Sequence, residues 1–492
     1  MLLEAVFFLI TIFLLLWAVY FRKPSGLPPG KWGLPLIGYI PRDGKYIDEQ
    51  VKDMQKKYGD IYVWKFGTQV QVFVHDYNIC KQMFGSADFI NRPDLASLKD
   101  DSGEALGIII TNGATWHANR RFTLRQLRDL GMGKASLLSA VHEQVPIVLE
   151  ALQKNDGKEV EITSALNTAI INIIWKMIAD KQFESTDPRH KDLQQLMITV
   201  NEGFNNGIIA DMFQWLLYFI PKSLFRKWFK LDETKAAEEK FLQYFDEIIE
   251  EHQKNLNPDA PKDLIDAYLI EMNDKTNNNG TRSVADLRFL LFDMFAAGSD
   301  TTTSTMKWTI VYMAAFPDVQ NKLQEEIDRV LPKGVLATLE DRHSMPYTEA
   351  VLNEVLRKSS LANIGVAHSA VKDTTLAGYR IPKDTMVTSA TMSIHHDDRY
   401  WDDPDRFLPE RWLSPEGKFV MRKEGFLPFG TGKRACIGES LARMEIFIFT
   451  TSIFQNFSVS APTGKQVDLL PDYSSMLGHE VRKQHVVFNA RM

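Results

Sequence analysis

The sequence predicts a mainly α protein with a small β subdomain, carried behind an N-terminal transmembrane helix, on three observations. Residues 5–21 form an apolar run with Thr11 as its only clearly polar side chain, near the short end of what spans ~30 Å of hydrocarbon. Beyond it most of the chain has helical periodicity, as in 148–152, 236–250 and 319–330, while strand-like runs fall early (61–66, 71–74) and late (386–390). One uninterrupted helical pattern, 283–316, would be roughly 50 Å long. It is apolar on most faces and should cross the middle of the protein.

Composition narrows the function. The 492 residues are 45% hydrophobic and 24% charged, which excludes a disordered, collagen-like or coiled-coil chain. Lys and Arg number 57 against 63 Asp and Glu, a net charge of −6. No global basic field exists to release counterions, so nucleic acid is not the expected partner. Cys80 and Cys436 are the only cysteines, which rules out a disulfide framework and any Cys₄ zinc or iron–sulfur site.

In chain order, 1–21 reads as a signal anchor. Trp17 and Tyr20 sit where an aromatic belt would lie, and Arg22 and Lys23 follow at once, against only Glu4 on the leading side. The basic flank favours the cytosolic side, so the N-terminus should face the lumen. A cleaved signal peptide fits less well, because the basic n-region is missing and bulky residues stand where an A-x-A site would be. Residues 22–38 hold Pro24, Pro28, Pro29 and Pro35 and read as a stiff hinge. Residues 39–492 read as one globule, with no repeat and no long linker. The sequons at Asn279 and Asn456 should carry no glycan in a cytosolic domain.

The long helix opens on Ser283 with Asp286 three residues on, a capping-box pattern. Its centre carries Gly298, Asp300 and Thr301 to Thr303. Polar groups buried there need partners or a function; hydroxyls bonding back to i−4 carbonyls are the ordinary alternative.

Cys436 lies in Phe429-x-x-Gly432-x-Arg434-x-Cys436-x-Gly438. Glycines permit a tight turn and close approach of backbone to a flat cofactor. Backbone N–H groups and the neighbouring Lys433 and Arg434 favour a thiolate, so the segment suits an axial haem ligand. Gly430 to Ala435 formally matches GxGxxG/A, but no preceding strand or acidic partner supports a dinucleotide site. Gly432-Lys433 is followed by Arg434, so it is no P-loop. A nicotinamide reductant should therefore bind another protein.

On these residues the chain resembles the microsomal cytochrome P450 haem-thiolate monooxygenases, and most of all the animal branch that metabolises drugs and steroids. NGATWHANRRFTLRQLRDLGMGK is especially similar to that branch. The resemblance implies the family's triangular fold and haem b with Cys436 as its iron ligand. Phe429, Gly432, Arg434 and Gly438 match the loop around the ligand. Trp116, Arg120, His368 and Arg434 match haem propionate partners. Glu354 and Arg357, in Glu-x-x-Arg, match a structural ion network completed by Arg411. Ala297-Gly298-Ser299-Asp300-Thr301 matches the oxygen-activating motif, with Thr301 and Asp300 moving protons. The implied substrate pocket includes Ile109, Phe204, Phe292, Ala296, Ala297, Ile364 and Leu477. That lining implies an apolar small molecule: a steroid, terpenoid, fatty acid or xenobiotic.

The implied reaction is NADPH- and O₂-dependent insertion of one oxygen atom, by hydroxylation or epoxidation. Electrons would come from NADPH-cytochrome P450 reductase docking on a basic face (Arg120, Arg121, Arg125, Arg128, Lys134, Lys433, Arg443), with cytochrome b5 a further candidate donor. The implied setting is the endoplasmic reticulum membrane, single-pass, with 215–220 and 225–229 as candidates for contact with lipid. A haem-thiolate isomerase or lyase acting on a hydroperoxide would not need the Asp300–Thr301 relay. A non-catalytic anchored interaction protein would not need Cys436, Arg434 and Arg120.

Overall fold

The 283–316 pattern folds as one helix, Val284–Ala315, capped by the Ser283 hydroxyl, which accepts from the Asp286 N–H at 3.0 Å. The Asp286 carboxylate does not close the reciprocal half of a capping box. It accepts instead from Gly107 N, Asn119 Nδ2 and the Tyr268 hydroxyl at 2.8–3.0 Å, joining three distant segments to the helix start. The structure is a computed structural model describing residues 2–20, 22–41, 46–100, 102–129, 135–161, 164–183, 187–274, 282–422, 424–473 and 478–491.

This helix runs through the core as its composition requires. Leu287, Leu290, Leu291, Phe295, Met306, Trp308, Ile310 and Val311 are all buried, packed among helices Ser164–Ala179, Leu231–Asn255, Pro346–Ser359 and Glu439–Asn456. Aromatic side chains fill the junction: Trp175 lies 5.4 Å from Phe295 and 5.6 Å from Phe245, and Phe241 lies 5.2 Å from Phe295. Gly298 permits the closest approach, since a Cβ there would stand 2.6 Å from Ile174 Cδ1.

The small sheets draw on both ends of the chain. Gly30–Lys31, Ile61–Phe66, Gln69–Val74, Met386–Ser389 and His368–Ser369 form five strands in that spatial order. The hairpin pairs Ile61 with Val74, and Gln71 runs parallel to Met386. A second sheet joins Glu159–Glu161, His485–Ala490 and Phe457–Ser460. Within the proline-rich segment, Gly30 and Lys31 pair with Val63 and Trp64, and Leu27 is buried.

The first helix is Leu2–Tyr20, with Phe7, Phe8, Leu9, Phe13 and Leu15 exposed. Among the described residues no helix is long and apolar enough to cross a membrane, so the fold alone does not establish the expected span.

Candidate functional site

The buried central helix is open near its middle. Ala297 and Thr301, one turn apart, are exposed while Phe295, Ser299, Thr302 and Thr303 are buried. The Thr301 hydroxyl donates to Ala297 O at 2.7 Å, and Ser299, Thr305 and Thr309 bond back to i−4 carbonyls in the same way. The hydroxyls thus solve their local hydrogen-bonding need as β-branched and small polar helix residues often do, yet Thr301 still faces open space. Asp300 accepts from Asn201 Nδ2 at 2.8 Å, and burial pushes its carboxyl up.

The cysteine loop is shaped by Gly432, at φ +79°, where a Cβ would collide with Phe84 O at 2.1 Å. A short turn, Gly432–Arg434, follows, and Cys436 N donates to Phe429 O at 2.9 Å. Cys436 is exposed, whereas Cys80 is buried and donates to Val74 O. The surrounding protein still raises the Cys436 thiol, opposed by the backbone N–H groups of Gly438 and Glu439 and by Arg120. Those N–H groups are the expected thiolate donors.

Around this loop three arginines converge, with no carboxylate paired to them among the described residues. Arg434 donates from Nε to Ile90 O and from Nη2 to Thr111 O and Asn112 Oδ1, with its guanidinium 3.9 Å from the Trp116 ring centroid. Among the described residues its buried Nη1 has no partner. Arg120 donates to Ala435 O at 2.6 Å. Arg92 donates to the carbonyls of Ile109, Val366 and Ala367. Burial and mutual repulsion push Arg434 down to about 9 and Arg92 to about 10. Burial, then Arg92, pushes His368 down to about 3, so the imidazole is neutral, held at 2.6 Å from Phe89 O. Arg92, in Asn91-Arg92-Pro93, matches none of the motifs that singled out the other residues, and only its burial beside Arg434 reveals it.

The Glu354 carboxylate is fully buried and collects five donors. Arg357 binds it at 2.8 and 2.9 Å, Leu408 N at 2.9 Å, Arg411 at 3.1 Å and Trp412 Nε1 at 2.9 Å. Arg357 also donates to the carbonyls of His395, Pro404 and Arg406. The trio is therefore a buried clasp on 395–412 and not a solvated helix pair, with a desolvation cost that only such complete pairing offsets.

Of the expected pocket residues, Ile109, Phe204, Phe292, Ala296 and Ile364 are half-buried and Ala297 is exposed. Phe292 meets Phe241 edge-on, so it also serves the core. Leu477 lies outside the described residues, as do Asn279 and Lys134. The sequence reading did not single out Asp293. Its carboxylate accepts from Ile108 N at 2.7 Å and Ile109 N at 2.9 Å, fixing that loop over the helix.

An exposed sulfur on a glycine-shaped loop, a cluster of unneutralised cations and an opened core helix fit a flat, dianionic, iron-bearing cofactor: the cations match its carboxylates and the sulfur its metal. That arrangement defines a haem-thiolate protein. The comparisons agree. Residues 28–486 match the Cytochrome P450 family model. The chain is 38% identical to Cytochrome P450 2L1 of Panulirus argus, covering 96% of each chain. It is 35% identical to Cytochrome P450 2J2 of Homo sapiens (91% of this chain, 88% of the relative) and 34% identical to Cytochrome P450 2B9 of Mus musculus (95% of each). The chain belongs to the cytochrome P450 family, of the animal drug- and steroid-metabolising type. It is a haem-thiolate monooxygenase that draws electrons from a redox partner and acts on small molecules.

Proposed function

We propose that Cys436 holds the haem iron, that Arg434, Arg120, Arg92 and Trp116 hold its propionates with His368 beside them, and that oxygen insertion takes place over Ala297 and Thr301. The carrying observation is the buried, unpartnered Nη1 of Arg434 among three cations, beside an exposed cysteine. When bound, haem supplies reductive O₂ activation. This chain's residues then have separate tasks. Thr301 can swing its hydroxyl from Ala297 O toward the opening and donate a proton. Asp300, raised by burial and held by Asn201 Nδ2, can supply the proton that replaces the one Thr301 gives up. Phe292, Ala296, Ala297, Ile109 and Ile364 keep water off an apolar substrate. Phe204 and Leu477 belong to the same proposed pocket, and Phe429, Gly432 and Gly438 to the cofactor loop. The test is the reduced-CO difference spectrum of Cys436→Ala: loss of the thiolate band is expected, and its persistence would transfer the ligand role to another side chain.

Residues 1–21 are proposed as a single-pass anchor in the endoplasmic reticulum membrane, 22–38 as the hinge and 39–492 as the catalytic domain facing the cytosol. The apolar composition of Leu2–Tyr20 and the exposure of Tyr218, Phe219 and Trp228 support lipid contact. Phe225, by contrast, is core. The reductase face is proposed around Arg121, Arg128 and Lys433, all exposed; Arg125 and Arg443 pair with Glu271 and Glu439. Cytochrome b5 is a candidate for the same face. Turnover with reductase that did not fall as salt rose would count against it. The substrate is proposed to be a steroid, terpenoid, fatty acid or xenobiotic, to be settled by product analysis by mass spectrometry.

A further inference from the structure

A cavity of about 300 Å³ lies against the C-terminal part of the central helix, away from Ala297 and Thr301. Its floor is Trp308, Tyr312 and Phe316 of that helix together with Phe407. Tyr312 stands eleven residues past Thr301, roughly 16 Å along the axis. The rings form a stack, with Tyr312 and Phe407 centroids 4.6 Å apart at 9° and Phe316 5.1 Å from Phe407. Leu470, 55% exposed, is part of the lining.

The polar lining is cationic. Lys52 and Lys358 supply the positive charge against one exposed carboxylate, Asp405; burial, then Lys358, holds His396 well below its usual range, so its ring is neutral, and His479 is already paired with Asp48. Lys358 donates to Asp405 O at 2.8 Å and makes longer contacts to Pro404 O and His396 Nε2, at 3.4 and 3.3 Å. Among the described residues neither Lys358 nor Lys52 has a carboxylate within ion-pair distance. Burial, then Arg357, pushes Lys358 down to about 8. Ser359, in the same wall, holds a buried hydroxyl with no partner among the described residues.

An aromatic floor beside two lysines without a carboxylate partner, one of which (Lys358) has two long contacts it can exchange for a ligand, matches one ligand chemistry. We propose that this cavity binds a small amphipathic carboxylate, its apolar body on the Tyr312–Phe407 stack and its head between Lys358 and Lys52. The volume is at the small end for ligand pockets, room for about ten waters at ~30 Å³ each. It suits a ring with a short chain and is too small for a steroid.

The experiment uses the full-length holoprotein in detergent, with a tight azole filling the site at the iron. Fluorine NMR then follows titration with 4-(4-fluorophenyl)butyrate and with its neutral amide. The expected result is saturable carboxylate binding with the azole in place, about tenfold weaker for the amide and for Lys358→Met and about threefold weaker for Lys52→Gln. Because Lys358 adjoins the Glu354 clasp, Leu470→Glu, an exposed substitution, serves as an independent variant and should weaken binding about tenfold by like-charge repulsion. Non-saturable uptake, equal binding of acid and amide, or unchanged affinity in both Lys358→Met and Leu470→Glu would each overturn the proposal.

Discussion

Asp293→Asn should remove a pH-dependent weakness from the fold. The Asp293 carboxyl is pushed up to about 7, chiefly by burial and in part by Asp286, although the N–H groups of Ile109 and Ile108 pull it down. In the unfolded chain it titrates near 3.8. Between those values the native state keeps a proton that the unfolded state has lost, so stability falls as pH rises through 4 to 7 and levels off above. A displacement of about 3 pH units at ~1.36 kcal/mol each is about 4 kcal/mol. At ~2.1 cal/mol/K per residue the unfolding entropy of a chain this size is about 1 kcal/mol/K, so the effect is about 4 °C in Tm. The Asn amide oxygen can accept the same two N–H groups without ionising. Melting of the holoprotein, followed by haem absorbance from pH 5 to pH 8, covers about 2 of those 3 units, so the variant should gain about 3 °C on the wild type across that range. Taking the difference between the two proteins cancels the titrating groups that do not interact with Asp293; Asp286, which does, stays within the difference. Parallel curves would refute the reasoning and mean that Asp293 is ionised at neutral pH.

Glu354→Ala should cost about 3–5 kcal/mol, since it strands Arg357 and Arg411 without their shared carboxylate; a Tm within 1 °C of wild type would place the stability of 395–412 elsewhere. Arg434→Met should leave the fold intact but raise the haem loss rate by about tenfold or more, read by transfer to apomyoglobin, because a charged hydrogen bond to a buried carboxylate is worth about 1.5–3 kcal/mol. Thr301→Ala should keep the thiolate spectrum while a larger share of NADPH ends as peroxide; unchanged coupling would remove Thr301 from proton transfer.

What the sequence made legible was what local rules dictate. The Ser283 cap, the two strand groups and the central helix follow from periodicity and capping, and the Cys436 loop from glycine spacing. The chemical identity of Glu354, Arg357 and Arg411 was also legible, but not their burial, which depends on Leu408, Trp412 and the carbonyls of His395, Pro404 and Arg406 arriving from another segment. Arg92 and Asp293 were missed for the same reason. Each acts on backbone groups far away in the chain, Arg92 on Val366 and Ala367 and Asp293 on Ile108 and Ile109, and main-chain partners leave no trace in side-chain spacing. The Asp286 carboxylate shows the limit from the other side: its spacing from Ser283 was right for a capping box, yet Gly107, Asn119 and Tyr268 compete for it and win.

The pairing of Gly30–Lys31 with Val63–Trp64 has a practical corollary for anyone trimming the chain to obtain crystals. Cutting ahead of Pro24 spares the sheet. Cutting past Lys31 would bare the Val63–Trp64 stretch of the Ile61–Phe66 edge, while Gly38 and Tyr39 still cover Lys65 and Phe66, and the freed amides and carbonyls would invite a neighbouring copy to zip onto them. The shorter product would be the stickier one.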